Sequence, residues 1–555
     1  MRLNRREFIG FAAAGAAGAA GAGLPAPARV RRPPVLDYWC TWSAQAALRA
    51  GADGWKPQLP RFPGDQGMPG VRDNLDEEVL FGSRGLVNLY PESRARLNFV
   101  IDDGWDVPYG ADPSKGDDFR FSSLEPDPVR FPSLKGSPGA RLKALADRVR
   151  GAGWAGLGLW VACQASGKDL WEGDADNPRV RDQIRRKLDW CAEAGVAYWK
   201  VDWGRHVWSP AFRKMMSDLR DAVYPDLVIE HCRSFSNALN GRIGAHRRPD
   251  GTWDVTGPDG RMVGNPEYEA VKKDIRAILA ASDVFRTYDV VNPLSLATTL
   301  ERAAWTCALA DELAARVVIN VEDELYVAAA LGFAMGVMRH PIPKASAVSL
   351  LGDDAHRLAE VRRAVAWRAL SPAFGSDRGA KLAFSGETIA ESYHFRPGDT
   401  WWNVVENGTF EQRAPARMAR GCPLPDVTRR GDGAPFVLAS RNPVSGAIAV
   451  AALPVLTAAG GRRTPPADVA LDVAAEAEVP LAVLGELASL RVRVAKRPTR
   501  VTVADLAGGE PHDITAQCAF EGGWLRLPGD RLAQVGAAGN VLGDRSSPGA
   551  LVRVS

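Results

Sequence analysis

The stretch Val196-Ala197-Tyr198-Trp199-Lys200-Val201-Asp202-Trp203 decides the fold class. Its first six residues form a short apolar and aromatic run of strand length. The run follows a helical pattern from Val180 to Ala194, in which Ile184, Leu188 and Cys191 recur at helical spacing. Upstream the same alternation repeats. Leu97 to Ile101 reads as a strand, Ala140 to Gly151 as a helix with Leu142, Leu145, Ala146 and Val149 on one face, and Gly156 to Ala162 as a strand. Downstream, Leu227 to Cys232 is another strand.

Strands that alternate with helices argue for parallel βα units. Several of them between residues 35 and 372 suit an α/β fold, a (β/α)8 TIM barrel, which takes about 250 residues or more. Near residue 375 the texture changes. Ala447 to Ala452, Leu490 to Val494, Thr499 to Val503 and Trp524 to Leu527 are short alternating runs, separated by turns rich in Gly, Pro and Asp. They predict a C-terminal antiparallel β-sandwich domain over 375–555, with Gly421 to Pro435 as loop or linker.

Active residues of a barrel lie at the C-terminal ends of its strands. One such end carries Asp102-Asp103-Gly104-Trp105, where one acid can point into a pocket while the other supports it, or both can sit in a solvated turn. Another carries Lys200 and Asp202, two apart and so on one face. A lysine beside an aspartate favours the ionised carboxylate, which suits either a nucleophile or a structural ion pair. A third segment, Ser282 to Asp289, places Asp289 after an apolar and aromatic run. Asp289 reads as a second functional carboxyl group or as the N-cap of a helix beginning near Leu294.

Net charge is only +3, with 24% charged and 46% hydrophobic residues. That balance lacks the concentrated basic face of a nucleic-acid binder. The 17 tryptophans outnumber the 9 tyrosines and serve equally as core aromatics or as flat platforms for sugar rings. The seven cysteines show no metal-ligand spacing and read as free buried thiols. At the N-terminus, Arg5-Arg6 precedes Phe8-Ile9. An Ala/Gly-rich stretch from Gly10 to Leu24 and the small-residue site Ala26-Pro27-Ala28 follow. Residues 1–28 resemble a twin-arginine signal peptide, which implies a periplasmic or secreted protein. The apolar run is too short for a membrane span of roughly 20 residues. Removing it leaves a nearly neutral chain, so neither membrane nor nucleic acid is an expected partner.

In this order the strand-end segments resemble the clan of retaining α-glycosidases that includes glycoside hydrolase families 27 and 36, the α-galactosidases or melibiases. Tyr38-Trp39-Cys40-Thr41-Trp42 resembles the GWNSW of family 27, and Ile101-Asp102-Asp103-Gly104-Trp105 its IDDCW. Ala194 to Asp202 resembles WGVDYLKYD, and Phe285-Arg286-Thr287-Tyr288-Asp289 the WRT…D segment. The resemblance spans residues 35 to 300. It implies a hydrolase for a terminal α-linked sugar, galactose first, acting by retaining double displacement; the alternatives are the same fold acting on an α-glucoside, α-N-acetylgalactosaminide or β-L-arabinopyranoside, or a non-catalytic carbohydrate-binding protein. Asp202 would be the nucleophile and Asp289 the acid/base, with Asp283, Glu230 and Asp323 as other candidates for the acid. Asp102, Asp103, Trp105, Lys200, Trp203 and Arg286 would bind the sugar, and Trp42 would wall its site. The expected partner is an oligosaccharide or glycoside. Two carboxyl groups suffice for this chemistry, so no metal or organic cofactor is expected.

Overall fold

The computed structural model describes residues 34–49, 67–233, 266–287, 296–342, 357–395, 408–456 and 462–555, with two further two-residue strands at His246–Arg247 and Trp253–Asp254. The signal-like residues 1–28 and Asp289 lie outside the described residues.

Eight parallel strands form one sheet. They are β1 (Tyr38–Cys40), β2 (Asn98–Ile101), β3 (Gly156–Val161), β4 (Tyr198–Val201), β5 (Val228–Cys232), β6 (Val284–Arg286), β7 (Val318–Asn320) and β8 (Gly336–Val337). Each is followed by a helix: α1 (Trp42–Arg49), α2 (Pro138–Gly151), α3 (Pro178–Ala194), α4 (Pro210–Val223), α5 (Pro266–Ala280), α6 (Leu296–Glu312), α7 (Leu325–Leu331) and α8 (Ala359–Arg368). β8 pairs back onto β1, and a single backbone bridge from Ala334 to Asn320 links it to β7. The result is the (β/α)8 barrel.

Local signals start the helices. Ser137, Asn177 and Ser209 each accept a backbone N–H of the first turn, and each precedes a proline at the first helical position. A capping oxygen satisfies one orphan donor, and a proline there has no N–H to lose. α3 ends on Gly195 at φ +66°, the left-handed conformation that glycine adopts without strain.

The two-residue period of a strand sorts its side chains into two sets. Trp39, Phe99, Leu157, Leu159, Trp199, Ile229, Phe285 and Ile319 face outward and share one core with the helices, including Leu142, Leu145, Ile184 and Leu188. Tyr38, Cys40, Val100, Tyr198, Val228, Val284 and Val318 pack together inside the barrel. Gly158 also faces inward, where an added Cβ would come within 2.6 Å of Val100 and 3.2 Å of Tyr198. Its missing side chain leaves room for the large residues opposite.

Beyond the barrel, a sheet of eight strands and one of five pack face to face over a second core. Most pairings are antiparallel, but Arg417–Arg420 with Phe436–Arg441, Ile448–Leu453 with Leu481–Gly485, and Ala467–Ala474 with Ser489–Arg493 are parallel. Within the expected linker, Asp426–Arg429 forms the edge strand of the five-stranded sheet, paired with residues 467–470. The sandwich is tied to the barrel by the buried Arg363, whose Nε and Nη2 each donate to Asp505 at 2.8 Å. None of the seven cysteines forms a disulfide, and five of them are buried. Among the described residues, no helix is long and apolar enough to cross a membrane.

Candidate active site

The inward residues at the C-terminal ends of the strands build one charged cluster. β2 runs into Asp102, β4 carries Lys200 and then Asp202, β5 carries Glu230, β6 ends on Arg286, and Glu322 follows β7 by two residues. All six side chains are buried. Lys200 Nζ donates to Asp102 Oδ2 at 2.9 Å and stands 3.0 Å from Glu322 Oε1. Burial would depress the lysine, but the carboxylates of Asp102 and Glu322 and the Cys40 sulfur outweigh it and push its pKa well up. Lys200 is therefore a fixed cation.

Arg286 serves three carboxylates. Its Nε donates to Glu230 Oε1 at 3.1 Å, Nη1 to Glu322 Oε2 at 3.4 Å, and Nη2 lies 3.2 Å from Asp202 Oδ1. The indole of Trp160, on β3, donates to Asp202 Oδ2 at 3.1 Å. Burial opposes ionisation of Asp202. The positive charges of Arg286 and Lys200 and the Trp160 N–H more than offset it, and hold the carboxyl below its ordinary pKa. Asp202 is thus an ionised, oriented carboxylate whose two oxygens are held from different sides.

Asp103 takes a different position from its neighbour. Its Oδ2 accepts from Arg72 Nε at 2.7 Å and from Trp203 Nε1 at 3.1 Å. Its Oδ1 is buried without a hydrogen-bond partner among the described residues. Burial raises its pKa to about 6, against the pull of Arg72. The sharp turn after it depends on Gly104 at φ +114°, where an added Cβ would meet the Arg72 carbonyl oxygen at 2.8 Å. Gly204 at φ +143° does the same after Trp203, 2.7 Å from the Cys163 nitrogen.

Aromatic rings wall this end of the barrel. Trp203 is half-buried, 5.4 Å from the Trp160 ring and 4.8 Å from Phe121, with the Arg72 guanidinium 5.4 Å from its centroid. Trp42 is buried at the first position of α1 and belongs to the barrel-interior core. Trp105 is fully buried, and its N–H goes to the Trp160 carbonyl at 3.0 Å.

The other candidate acids sit differently. Asp283 precedes β6, at the opposite end of the barrel, where it pairs with Arg220 and accepts the Ile229 N–H at 2.9 Å. Glu230 lies deeper than Asp202. It accepts from Tyr38, Tyr198, Asn320 and Arg286 at 2.7–3.2 Å, and burial pushes its pKa up. Asp323 accepts the Met338 N–H at 2.9 Å and pairs with Arg339. Four residues that the strand-end rule did not single out complete the site. Tyr38 and Trp160 occupy inward positions of their strands, which the two-residue period marks. Glu322 closes the Lys200 and Arg286 pairs, and Arg72 comes from the loop between β1 and β2. Among the described residues, no three His, Cys, Asp or Glu side chains are grouped to hold a metal ion.

No known protein family matches the chain, and no curated protein does. Among solved structures it is similar to a family 27 β-L-arabinopyranosidase from Geobacillus stearothermophilus, at 11% identity over 95% of this chain and 97% of that one, with a TM-score of 0.34. A candidate α-N-acetylgalactosaminidase from Bacillus halodurans gives 9% identity over 95% and 98%, with a TM-score of 0.33. A cyclic α-maltosyl-(1→6)-maltose hydrolase from Arthrobacter globiformis gives 11% over 69% and 100%, with a TM-score of 0.30. Identities and scores at this level fix neither family nor activity. The chemistry rests on the side chains themselves.

Proposed function

We propose that the protein is a glycoside hydrolase that cleaves a terminal α-linked sugar, galactose first, by retaining double displacement. The observation that carries this reading is the Asp202 carboxylate at the end of β4. It is kept ionised by Arg286 and Lys200 and oriented by Trp160. The buried, unpartnered Oδ1 of Asp103 and the fixed Lys200–Asp102 pair offer an acceptor and a charged floor for sugar hydroxyls. The Trp203, Trp160 and Phe121 rings offer the apolar wall that a pyranose face needs.

In the first step an Asp202 oxygen attacks the anomeric carbon. The glycosidic C–O bond breaks, and the acid gives its proton to the leaving oxygen. In the second step the same group takes a proton from water. Water attacks the glycosyl ester, which releases the sugar with its configuration retained. We assign the acid/base to Asp289 from its place in the sequence after β6. The engagement of Asp283, Glu230 and Asp323 with backbone or barrel donors supports that choice. Arg286 is a positioning residue in this scheme, since it holds three carboxylates of the chain, Asp202, Glu230 and Glu322.

The test is turnover of a panel of aryl glycosides by the wild type and Asp202→Asn. The panel holds the α-galactoside, α-N-acetylgalactosaminide, α-glucoside and β-L-arabinopyranoside. Release of the α-galactoside aglycone, lost in the variant, is the expected result. Turnover confined to another member, also lost in the variant, keeps the mechanism and replaces the sugar. Turnover equal in both proteins removes Asp202 from the chemistry.

A further inference from the structure

The five-stranded sheet has an inner face of Val469, Leu471, Leu490, Val492, Leu525 and Leu527, all within the sandwich core. The alternate positions face out, and they do not form the evenly mixed surface of an ordinary solvated sheet. Thr428 pairs with Asp468 and Asp468 with Ser489, while Arg491 stands opposite Arg526 and Trp524 opposite Glu521. These side chains line a hollow of about 640 Å³ that crosses all five strands, within the ~300–1,000 Å³ of small-molecule sites.

Two features set this hollow apart from a bland surface. Arg491 and Arg526 are directly opposite each other, and like charges so placed destabilise a sheet. Arg526 is partly compensated by Asp468 at 3.8 Å, whereas Arg491 has no ion pair among the described residues. The second feature is Trp524, a half-buried indole on an outward strand position, flanked by the guanidinium groups of Arg491 at 5.7 Å and Arg493 at 4.0 Å from its centroid. An indole there gains little for the core, because its strand neighbours Leu525 and Leu527 already fill it.

We infer that this hollow is a second binding site, for a neutral glycan chain. Its lining has two cations, Arg491 and Arg526, and two anions, Asp468 and Glu521. The lining itself is balanced, with Arg430 paired to Asp468 from outside it at 2.5 and 2.9 Å and Arg493 paired to Asp472 at 2.9 Å, and it offers forked donors, acceptors and one flat apolar surface. That set matches a polyhydroxylated ring, whose vicinal hydroxyls pair with planar carboxylates and guanidiniums and whose C–H face lies on an indole. A hollow spanning five strands takes several linked sugars rather than one. The site is made wholly of residues between 428 and 526, and its assignment does not rest on the chemistry proposed for the barrel.

The experiment is affinity electrophoresis of the full chain through native gels containing galactomannan, arabinogalactan, arabinoxylan, starch or, as the charged control, polygalacturonate. Asp202→Asn provides the background, so that nothing is cleaved during the run. Retardation by at least one neutral polysaccharide is expected. Trp524→Ala should abolish it, and Arg491→Ala should weaken it at least tenfold in the apparent dissociation constant, with unchanged circular dichroism for both. In the otherwise wild-type chain, Trp524→Ala should leave aryl-glycoside hydrolysis unchanged. Free migration in all neutral gels overturns the inference. So does retardation that survives both substitutions, which would place binding elsewhere, and so does retardation by polygalacturonate alone, which would make the hollow a polyanion site.

Discussion

Arg286 and Asp202 meet inside the barrel from strands two apart, Nη2 3.2 Å from Oδ1, while the same guanidinium holds Glu230 and Glu322. The pair sets the proton affinity of the carboxylate on which the proposed reaction depends. A lowered carboxyl pKa favours the fold above the unfolded value of about 4, and that contribution disappears as pH falls through the folded one. Replacing Arg286 by Gln removes the largest opposing charge. The acid limb of kcat/KM should then move to higher pH, and its maximum should fall at least tenfold. A pH–rate profile measures both, and an acid limb that does not move would break the link between the two residues.

Asp103 titrates at about pH 6. Its raised pKa favours the fold below about pH 4, and this contribution fades as pH rises through 6. In the proposed role its open oxygen accepts a sugar hydroxyl more strongly when ionised. KM of the wild type should therefore fall as pH rises past 6, whereas KM of Asp103→Asn should be higher and flat across that range. Parallel KM profiles for the two proteins would remove Asp103 from substrate binding.

Glu322 is fully buried between Lys200 and Arg286. Removing one partner from a buried ionic network leaves uncompensated charge and costs about 3–5 kcal/mol. Glu322→Gln keeps the shape and loses the charge, so urea unfolding should show a loss near the lower end of that range. A change under about 0.5 kcal/mol, the scale of a surface substitution, would mean that the network does not need it.

The Arg363–Asp505 pair is bidentate and buried where barrel and sandwich meet. Arg363→Ala and Asp505→Ala should each destabilise by about 3–5 kcal/mol, and the double variant by much less than their sum. A thermal double-mutant cycle reads the coupling, and additive losses would contradict a direct pair.

We also expect replacement of both Arg5 and Arg6 by lysine to leave the protein in the cytoplasm. Fractionation with an antibody to the chain distinguishes this from normal export, and export that persists would discard the twin-arginine reading.

The strands with long apolar runs and capped flanking helices were legible from residues alone. Asn98–Ile101, Gly156–Val161, Tyr198–Val201 and Val228–Cys232 all fall within the expected runs. β7 and β8 have three and two residues, too few for any period to show. Asp426–Arg429 looks like linker because its charged, turn-flanked residues suit an exposed edge and carry no apolar face. In the site, the strand-end rule marks Asp102, Lys200 and Asp202, the family resemblance adds Arg286, and the four lie in one cluster. Glu322 escaped because it opens an acidic run with Asp323 and Glu324, and composition does not tell which of the three turns inward. Arg72 escaped because it belongs to a six-residue helix in a loop, where no pattern points at a distant carboxylate.

The junction between β7 and β8 has a dynamic consequence. One backbone bridge and the Asp323 N–H, which donates to the Gly336 carbonyl at 2.8 Å, span it, and the Asn320 carboxamide accepts the Gly336 N–H at 3.0 Å and donates to Glu230 at 2.7 Å. Local opening favours the place with the fewest hydrogen bonds, so the Gly336 amide should exchange with deuterium earlier than amides inside β2 to β5. Each such opening swings the carboxamide away from Glu230 and loosens the floor beneath Asp202. A bound ligand that steadies the floor slows the opening, and the exchange rate of one glycine then reports occupancy of the pocket.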